Sequence, residues 1–254
     1  MSGTRAVYVD LDGTLLGAGG SLLRDGDGRF SQDGVRALRL LHEAAVPVVL
    51  TSGRSALRLR MVRDLIGAQG VLAELGALSA GYPTAPEQTV FEAIQATGVP
   101  DALMAAEPGL WEHLPARPGR EGGHVFAGAV SDGAFALVER LSQGTLRLAD
   151  NGRIGEGVHI FHLLPANAGK AQAVAADVIE RGCDAEACLA IGDSHQDLMM
   201  GRSVGAIAIV ANGARADPEL ARIAPWVTEG SHGAGVREAV ERWLAGDAPP
   251  CALD

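Results

Sequence analysis

Two aspartates, Asp10 and Asp12, follow the apolar run Ala6–Val9 near the start of the chain. Side chains alternate along an extended strand, so residues two apart can point the same way. One carboxylate can then act as a nucleophile while the other exchanges protons. Gly13 and Thr14 come next and allow a sharp turn in which backbone amides approach an anion. The pattern predicts nucleophilic chemistry on a phosphate-like group.

Polar residues also follow three later apolar runs, at the point where each run ends. Ligands bind outside the carboxyl ends of parallel strands, so such residues are expected to meet at one edge of a sheet. The residues after these runs are Ser52, Gly53, Arg54, Asp193, Asp197 and Asn212. Lys170, the only lysine of the chain, opens a predicted helix. Carboxylates, a hydroxyl, an arginine and a lysine together predict one polar site.

The carboxylates of this predicted site suit a hard cation. Mg²⁺ prefers oxygen ligands and usually takes one or two carboxylates together with water and phosphate oxygens. Asp10 and Asp193 fit this role, with a backbone carbonyl nearby and Asp197 as a water-linked or more distant partner.

Composition excludes several classes of partner. The chain has 254 residues, 47% hydrophobic and 20% charged, with a formal net charge of -10 and no basic run. Nucleic acids and anionic membranes attract clustered positive charge, so neither is an expected partner. Three scattered cysteines do not form a disulfide framework or a zinc site. The start of the chain shows no signal-peptide pattern and no apolar stretch is long enough to span a bilayer, so a cytoplasmic location is expected. The chain could be a monomer or a homodimer.

Short apolar runs alternate with helical periodicity over most of the chain. The predicted buried strands are Ala6–Val9, Val46–Leu50, Val71–Ala73, Leu189–Ile191 and Ala206–Val210. The predicted helices between them are Gly34–Ala45, Ser55–Ile66 and Ala171–Arg181. This alternation predicts an α/β fold with a Rossmann-like parallel sheet covered by helices.

The middle of the chain has a different pattern, which predicts an inserted α+β module with an antiparallel sheet. Its predicted strands are His124–Val130, Thr145–Ala149 and Gly157–Leu163, and its predicted helices are Pro86–Ala96 and Asp132–Ser142. Asn151-Gly152 is a hairpin signal, and Ser131 is a candidate N-cap. The predicted domains are a core of residues 1–81 and 166–254 and a smaller cap of residues 82–165.

Four motifs, in order, resemble those of the haloacid dehalogenase superfamily and together span most of the chain. They are Asp10-Leu11-Asp12-Gly13-Thr14-Leu15, Ser52-Gly53-Arg54, Asn167-Ala168-Gly169-Lys170-Ala171, and Gly192-Asp193-Ser194 with Asp197. The resemblance implies a phosphoric monoester hydrolase that acts on small phosphorylated metabolites.

The resemblance also implies a role for each motif residue. Asp10 would become an aspartyl-phosphate, and Asp12 would protonate the leaving oxygen and then activate water. Ser52, Gly53 and Lys170 would hold the phosphoryl oxygens. The implied Mg²⁺ ligands are Asp10, Asp193 and the main-chain carbonyl of Asp12, with Asp197 beside them. Arg54 and Asn212 are weaker candidates for substrate contact.

The position of the insertion narrows the resemblance. The long insertion lies between Ser52 and Lys170, as in the branch that includes sugar-phosphate, sucrose-phosphate and mannosyl-phosphoglycerate phosphatases. The segment Glu74-Leu75-Gly76-Ala77 is similar to the Glu-Asn-Gly-Ala entry of that branch, with Leu75 in place of Asn. The substrate implied is a sugar phosphate or a related phosphomonoester.

Two other functions stay open. A phosphomutase or phosphotransferase of the superfamily uses the same aspartates, and a regulatory protein could bind phosphate without turnover. Asp12 argues against the second, because binding alone requires no proton exchange. The cap arginines Arg117, Arg120, Arg147 and Arg153 could bind a second anion on the substrate, and His195 could contact a residue of the metal motif, but solvent-exposed positions are expected for all five.

Overall fold

The computed structural model describes residues 4–253. The strands are β1 Val7–Asp10, β2 Val48–Thr51, β3 Gly70–Leu72, β4 Leu110–Glu112, β5 His124–Gly128, β6 Leu146–Gly155, β7 Val158–Pro165, β8 Leu189–Gly192 and β9 Ala206–Ile209. The α-helices are α1 Asp33–Glu43, α2 Ala56–Ile66, α3 Val90–Ala96, α4 Val99–Ala106, α5 Ala134–Leu141, α6 Lys170–Glu180, α7 His195–Leu198, α8 Ala211–Ala216, α9 Pro218–Ile223 and α10 His232–Ala245.

The chain divides into two compact units. The first comprises Met1–Ser52, Arg63–Leu72 and Lys170–Asp254, and the second comprises Gly53–Val62 and Ala73–Gly169. The second unit therefore contains the inserted segment together with residues 53–62, 73–81 and 166–169, which flank it in the sequence. Within the described part of the chain, no helix is both long and apolar enough to cross a membrane.

The first unit is built on a five-stranded parallel sheet in the order β3-β2-β1-β8-β9. Each predicted core strand is present, with ends shifted by no more than two residues. Residues of β1, β8 and β9 are buried on both faces, which is why these strands read as continuous apolar runs. The central position of β1 places the residues after it beside the carboxyl ends of β2 and β8.

The second unit is built on a four-stranded antiparallel sheet in the order β4-β5-β7-β6. Its core contains Ile94 and Leu103 from helices, Phe126 and Leu163 from the sheet, and Val138 from α5, all at most 1% exposed. The α/β core and the α+β insert predicted from the sequence are confirmed. Strand β4 and helix α4 are additions that the sequence patterns did not indicate.

The predicted hairpin turn at Asn151-Gly152 is wrong. Both residues lie within β6, where the register with β7 is irregular, and the Asp150 carboxylate accepts a 2.8 Å hydrogen bond from Gly152 N. The chain reverses at Glu156 and Gly157 instead. Asn151 and Gly152 therefore lie at an irregularity inside a long strand, where Gly152 has a positive φ. A hairpin turn favours the same dipeptide, so the sequence does not distinguish the two structures.

The predicted N-cap at Ser131 is also wrong. Helix α5 begins at Ala134 after Gly133, and no side chain caps it. The Ser131 hydroxyl donates to Glu107 Oε1 at 2.6 Å, and the Ser131 amide donates to Glu107 Oε2 at 2.8 Å. Ser131 therefore binds a carboxylate distant in the sequence and does not cap the helix.

Candidate active site

Asp10 ends the central strand β1 and is 4% exposed. The chain turns sharply after it, with Leu15 N donating to Asp10 O at 3.3 Å and Leu16 N to Leu11 O at 2.9 Å. Gly13 lies in this turn with φ +87°, and a Cβ at that position would lie 2.1 Å from Asp193 Oδ2. Glycine is therefore needed here both for the left-handed backbone and for the close approach of Asp193.

Lys170, the first residue of α6, contacts two carboxylates of the first unit. Its Nζ donates to Asp10 Oδ1 and to Asp197 Oδ1, both at 2.6 Å, and the lysine is 6% exposed. Burial alone would lower the pKa of the Lys170 ammonium, but the two carboxylates more than offset this, so its pKa lies above the ordinary value. The only lysine of the chain is thus a buried cation.

Asp197 is held in place by nearly every hydrogen bond that its carboxylate can accept. Asp193 N, Ser194 N and the Ser194 hydroxyl all donate to Asp197 Oδ2, at 3.2, 3.1 and 2.5 Å. Ser194 and Asp197 form a capping box at the start of α7. A Cβ at Gly192 would lie 2.0 Å from the Asp197 Cβ, so this arrangement depends on that glycine. Asp197 organises the loop after β8 and orients Lys170.

Asp10, Asp193 and Asp197 form the cluster within the described residues that could hold a metal ion, with one carboxylate oxygen from each lying within 4.8 Å of the others. Asp10 Oδ2 is buried and accepts no hydrogen bond. Burial raises the pKa of Asp10 to about 7 and the pKa of Asp193 to about 8, and the neighbouring carboxylates add to both shifts. Three crowded carboxylates, two of them with pKa values raised by burial, suit a divalent cation, which would relieve their repulsion.

The Asp12 side chain is exposed and is not part of that acidic cluster. Asp12 lies in the turn after β1, where it forms a bridge with Leu16. The metal contact through its main-chain carbonyl and its role as acid and base stay predictions.

Ser52 follows β2 and belongs to the first unit, whereas Gly53 and Arg54 belong to the second. Ser52 is 2% exposed, and its N donates to Leu72 O at 3.1 Å. Within the second unit, Gly53 O accepts a 2.8 Å hydrogen bond from Arg120 Nη2. Arg54 is half-buried, and its carbonyl accepts from Glu74 N at 3.1 Å.

Asn212, in α8, contacts the turn that follows β1. Its side-chain Nδ2 donates to Gly13 O and its Oδ1 accepts from His232 N, both at 2.8 Å. A Cβ at the next residue, Gly213, would lie 2.1 Å from Asp193 O. The amide of Asn212 therefore orients the turn that carries Gly13, a role that the sequence patterns did not indicate.

Among the cap arginines, Arg120 was expected to be exposed to solvent, but it is buried. Its side chain is 3% exposed and forms an ion pair with Glu74, whose side chain is fully buried. Arg147 is also partly buried and donates to Ala168 O at 2.8 Å. His195 has the expected exposed position, with its ring 2.9 Å from Asp217 Oδ2. The sequence patterns did not indicate the ion pair of Glu74 with Arg120. The segment beginning at Glu74 was notable only for its resemblance to a family motif.

Comparison with known proteins identifies the family. A family model for haloacid dehalogenase-like hydrolases matches residues 147–240. A phosphoglycolate phosphatase of Methanothermobacter thermautotrophicus is 30% identical, over 94% of this chain and 99% of the relative. A phosphoglycolate phosphatase of Metallosphaera sedula is 27% identical, over 95% of this chain and 99% of the relative.

Solved structures with the same fold include phosphatases of this superfamily. A Thermoplasma acidophilum protein aligns with a TM-score of 0.69 at 18% identity, over 94% of this chain and 98% of that one. The sucrose-phosphatase of Synechocystis, solved with sucrose and phosphate, aligns with a TM-score of 0.64 at 15% identity, over 96% of this chain and 99% of that one. The chain belongs to the haloacid dehalogenase-like hydrolases and is a phosphatase of that superfamily.

Proposed function

We propose that this phosphatase hydrolyses a small phosphorylated metabolite with Mg²⁺ and through an aspartyl-phosphate on Asp10. The observation that carries the proposal is the buried contact of Lys170 with one oxygen of Asp10, while the second oxygen accepts no hydrogen bond. A carboxylate held through one oxygen presents the other as a nucleophile. The ammonium offsets the repulsion between this carboxylate and a phosphate dianion.

The reaction would proceed in two displacements at phosphorus. In the first, Asp10 Oδ2 bonds to phosphorus, the bond to the leaving oxygen breaks, and Asp12 gives that oxygen a proton. In the second, Asp12 takes a proton from water, the water oxygen bonds to phosphorus, and the bond to Asp10 breaks. Ser52, Gly53 and Lys170 would hold the phosphoryl oxygens during both steps.

Asp10 and Asp193 would hold the Mg²⁺ together with the main-chain carbonyl of Asp12. Asp197 would act beside them, since its carboxylate already accepts hydrogen bonds from Lys170 and from the loop after β8. A bound Mg²⁺ would offset negative charge on the phosphoryl oxygens. Phosphatases of this superfamily generally use this ion.

The names of the relatives suggest the first substrate to test. The relatives that cover nearly all of this chain are named phosphoglycolate phosphatases. Phosphoglycolate, a small phosphorylated acid, therefore heads the proposed substrates, followed by sugar phosphates. The inserted cap of residues 82–165 would select the leaving alcohol, with Arg54 and Asn212 as further candidate contacts.

Release of inorganic phosphate tests this function. The purified chain would be assayed with phosphoglycolate, sugar phosphates and an aryl phosphate, with Mg²⁺ and with a chelator. We expect metal-dependent release that Asp10→Asn abolishes and that the matched surface variant Asp27→Asn leaves unchanged. Acid-quenched protein from the Asp12→Asn variant should carry a phosphoryl group that peptide mapping locates on Asp10.

Three outcomes would overturn parts of the proposal. No metal-dependent release across the panel would refute hydrolysis and leave a binding role. Transfer of phosphate to a second metabolite instead of water would indicate a phosphotransferase. Full activity of Asp10→Asn would refute the nucleophile.

A further inference from the structure

The backbone of residues 53–56 is held by hydrogen bonds to residues that are distant in the sequence. Within the second unit, Gly53 O accepts from Arg120, Arg54 O accepts from Glu74 N at 3.1 Å, and Ala56 N donates to Glu74 Oε1 at 3.2 Å. This segment carries the proposed phosphate-binding residue Gly53 and the start of α2. Its geometry therefore depends on the two side chains Glu74 and Arg120.

Glu74 is fully buried, and four donors satisfy its carboxylate. Glu74 Oε1 accepts from Ala56 N and from Glu121 N, and Oε2 accepts from Gly122 N and from Arg120 Nη1. One of these donors, Ala56 N, belongs to residues 53–56, and the other three belong to the inserted segment. A neutral glutamine has one acceptor oxygen, so no amide could replace this carboxylate without leaving buried donors unpaired.

Arg120 bridges the carboxylate and residues 53–56 with two arms of one guanidinium. Its Nη1 donates to Glu74 Oε2 at 3.1 Å and its Nη2 donates to Gly53 O at 2.8 Å. The planar guanidinium fixes the directions of both hydrogen bonds, which the ammonium group of a lysine cannot do. Since Glu74 is itself fully buried, the bridge is shielded from water, and water is poorly placed to replace either hydrogen bond.

The backbone at Glu74 is held in an unfavourable conformation. Glu74 and Leu75 both have φ of +55°, and Gly76 has φ of +80°. Non-glycine residues in the left-handed region are costly, and they persist where surrounding contacts over-determine them, often at functional sites. The carboxylate of Glu74 reaches its four donors from this strained position.

Gly53 is also enclosed by other groups of the second unit. A Cβ at Gly53 would lie 3.3 Å from His162 Cε1 and 3.4 Å from Asn151 Nδ2. These two side chains leave little room for a side chain at this position.

We propose that Glu74 and Arg120 are a pair of positioning residues that hold the peptide of Gly53, a proposed phosphate-binding residue, in the geometry needed for phosphoryl transfer. The inference rests on the proposed function. It assigns the pair no contact with substrate. A displacement of a binding group by about 1 Å can reduce a rate about 100-fold, so loss of the guanidinium fork should be measurable in catalysis.

The test variant is Arg120→Lys, which keeps the positive charge and removes the fork. The matched control is Arg117→Lys, since Arg117 is an exposed arginine three residues away whose ion pair with Glu112 is 3.3 Å long. We expect kcat/KM for an aryl phosphate to fall about 10- to 100-fold in Arg120→Lys. Affinity for inorganic phosphate with Mg²⁺, measured by calorimetry, should fall with it. Arg117→Lys should match the wild type in both.

A second variant separates positioning from stability. Replacing both members of the ion pair avoids a lone buried charge, so Glu74→Gln with Arg120→Met is expected to fold, at a reduced melting temperature because a backbone donor to Glu74 loses its acceptor. Circular dichroism would establish that each variant is folded at the assay temperature. Wild-type kcat/KM in any folded variant that lacks the fork would overturn the inference, even if its melting temperature had fallen.

The phosphate-binding measurement keeps this inference distinct from the proposed function. A wild-type chain that binds phosphate but hydrolyses nothing would refute the proposed function, and weakened phosphate binding in the fork variants would still support positioning. Unchanged phosphate affinity in those variants, with an active wild type, would refute positioning alone.

Discussion

Lys170 Nζ lies 2.6 Å from Asp10 Oδ1, and the other oxygen of the same carboxylate accepts no hydrogen bond. The contact divides the carboxylate into an anchored oxygen and one that is available for bonding. Asp197 holds the same ammonium from a second direction, also at 2.6 Å. The position of the proposed nucleophile therefore depends on a cation buried between two carboxylates.

Removal of that cation should reduce catalysis strongly. We expect Lys170→Met to lower kcat/KM roughly 100- to 1000-fold, because a preorganised charge beside the reacting group is lost. The measurement is steady-state kinetics with an aryl phosphate and saturating Mg²⁺. Arg36→Met, which removes an exposed cation whose side chain is 58% accessible, is the control and should be nearly silent. A Lys170→Met enzyme within threefold of the wild type would contradict the assigned role.

Mg²⁺ affinity should rise with pH. The pKa of Asp10 is raised to about 7 and that of Asp193 to about 8, so metal binding at pH 6 must displace protons that are already absent at pH 9. For each displaced proton the apparent affinity should change about tenfold per pH unit below the pKa. Calorimetry in buffers of different ionisation enthalpy counts the protons released. Equal proton release at pH 6 and pH 9 would contradict the prediction.

The same shifts predict how the metal-free protein responds to pH. In the folded protein the pKa values of Asp10 and Asp193 are raised from 3.8 to about 7 and about 8. The stability that these two groups contribute is therefore fully present below pH 3.8 and is lost as pH rises through 7 and 8. Chemical denaturation in the presence of a chelator should therefore show that the contribution of Asp10 and Asp193 to the free energy of unfolding declines as pH rises from about 4 to about 8. Mg²⁺ should restore more stability at pH 8 than at pH 5.

A methyl group at Gly13 should disturb the metal cluster. Its Cβ would lie 2.1 Å from Asp193 Oδ2, so Gly13→Ala must displace that carboxylate or the turn. We expect Mg²⁺ affinity to fall at least about tenfold, equivalent to about 1.4 kcal/mol, within the usual cost of a clash at a packed position.

Gly19→Ala is the matched control for this effect. Gly19 also has a positive φ, of +68°, but a Cβ there would meet nothing within 4 Å. Both variants bear the cost of a left-handed alanine, roughly 1–2 kcal/mol. Only Gly13→Ala has the additional contact, so equal metal affinity in the two variants would rule out the steric explanation.

The second unit should be sensitive to acid through His124. Burial lowers the pKa of the His124 ring to about 4, although its hydrogen bond with Phe91 O, 3.2 Å long, opposes the shift. A depressed folded-state pKa gives stability that is present above the unfolded pKa near 6.5 and is lost as pH falls to 4. The loss should be roughly 3 kcal/mol at most.

Nuclear magnetic resonance and denaturation can check this directly. The His124 ring should titrate near pH 4, and His124→Gln should flatten the dependence of unfolding free energy on pH between 6.5 and 4. His159→Gln is the control, because the His159 side chain is 38% exposed. A His124 ring that titrates near 6.5 would show that burial does not set its pKa.

Much of the first unit could be predicted because its signals are local. Buried parallel strands read as short apolar runs, and the carboxyl ends of such strands share one edge of the sheet. Asp10, Lys170, Asp193 and Asp197 could therefore be assigned to one site from their places after strands or at a helix start, and the structure brings these four together. The second unit was predicted less completely, since β4 and α4 are short and weakly patterned.

Periodicity and residue type act over a few neighbouring positions, so the class of fold and the set of groups at the strand ends can be predicted from them. Which of these groups are buried, and what holds them, depends on contacts between distant segments. Glu74 and Arg120 are 46 residues apart, and Asn212 and Gly13 are 199 apart. Nothing in the local pattern of Arg120 distinguishes it from the exposed Arg117. Burial and charge pairing are properties of the whole chain, so they appear only once it has folded.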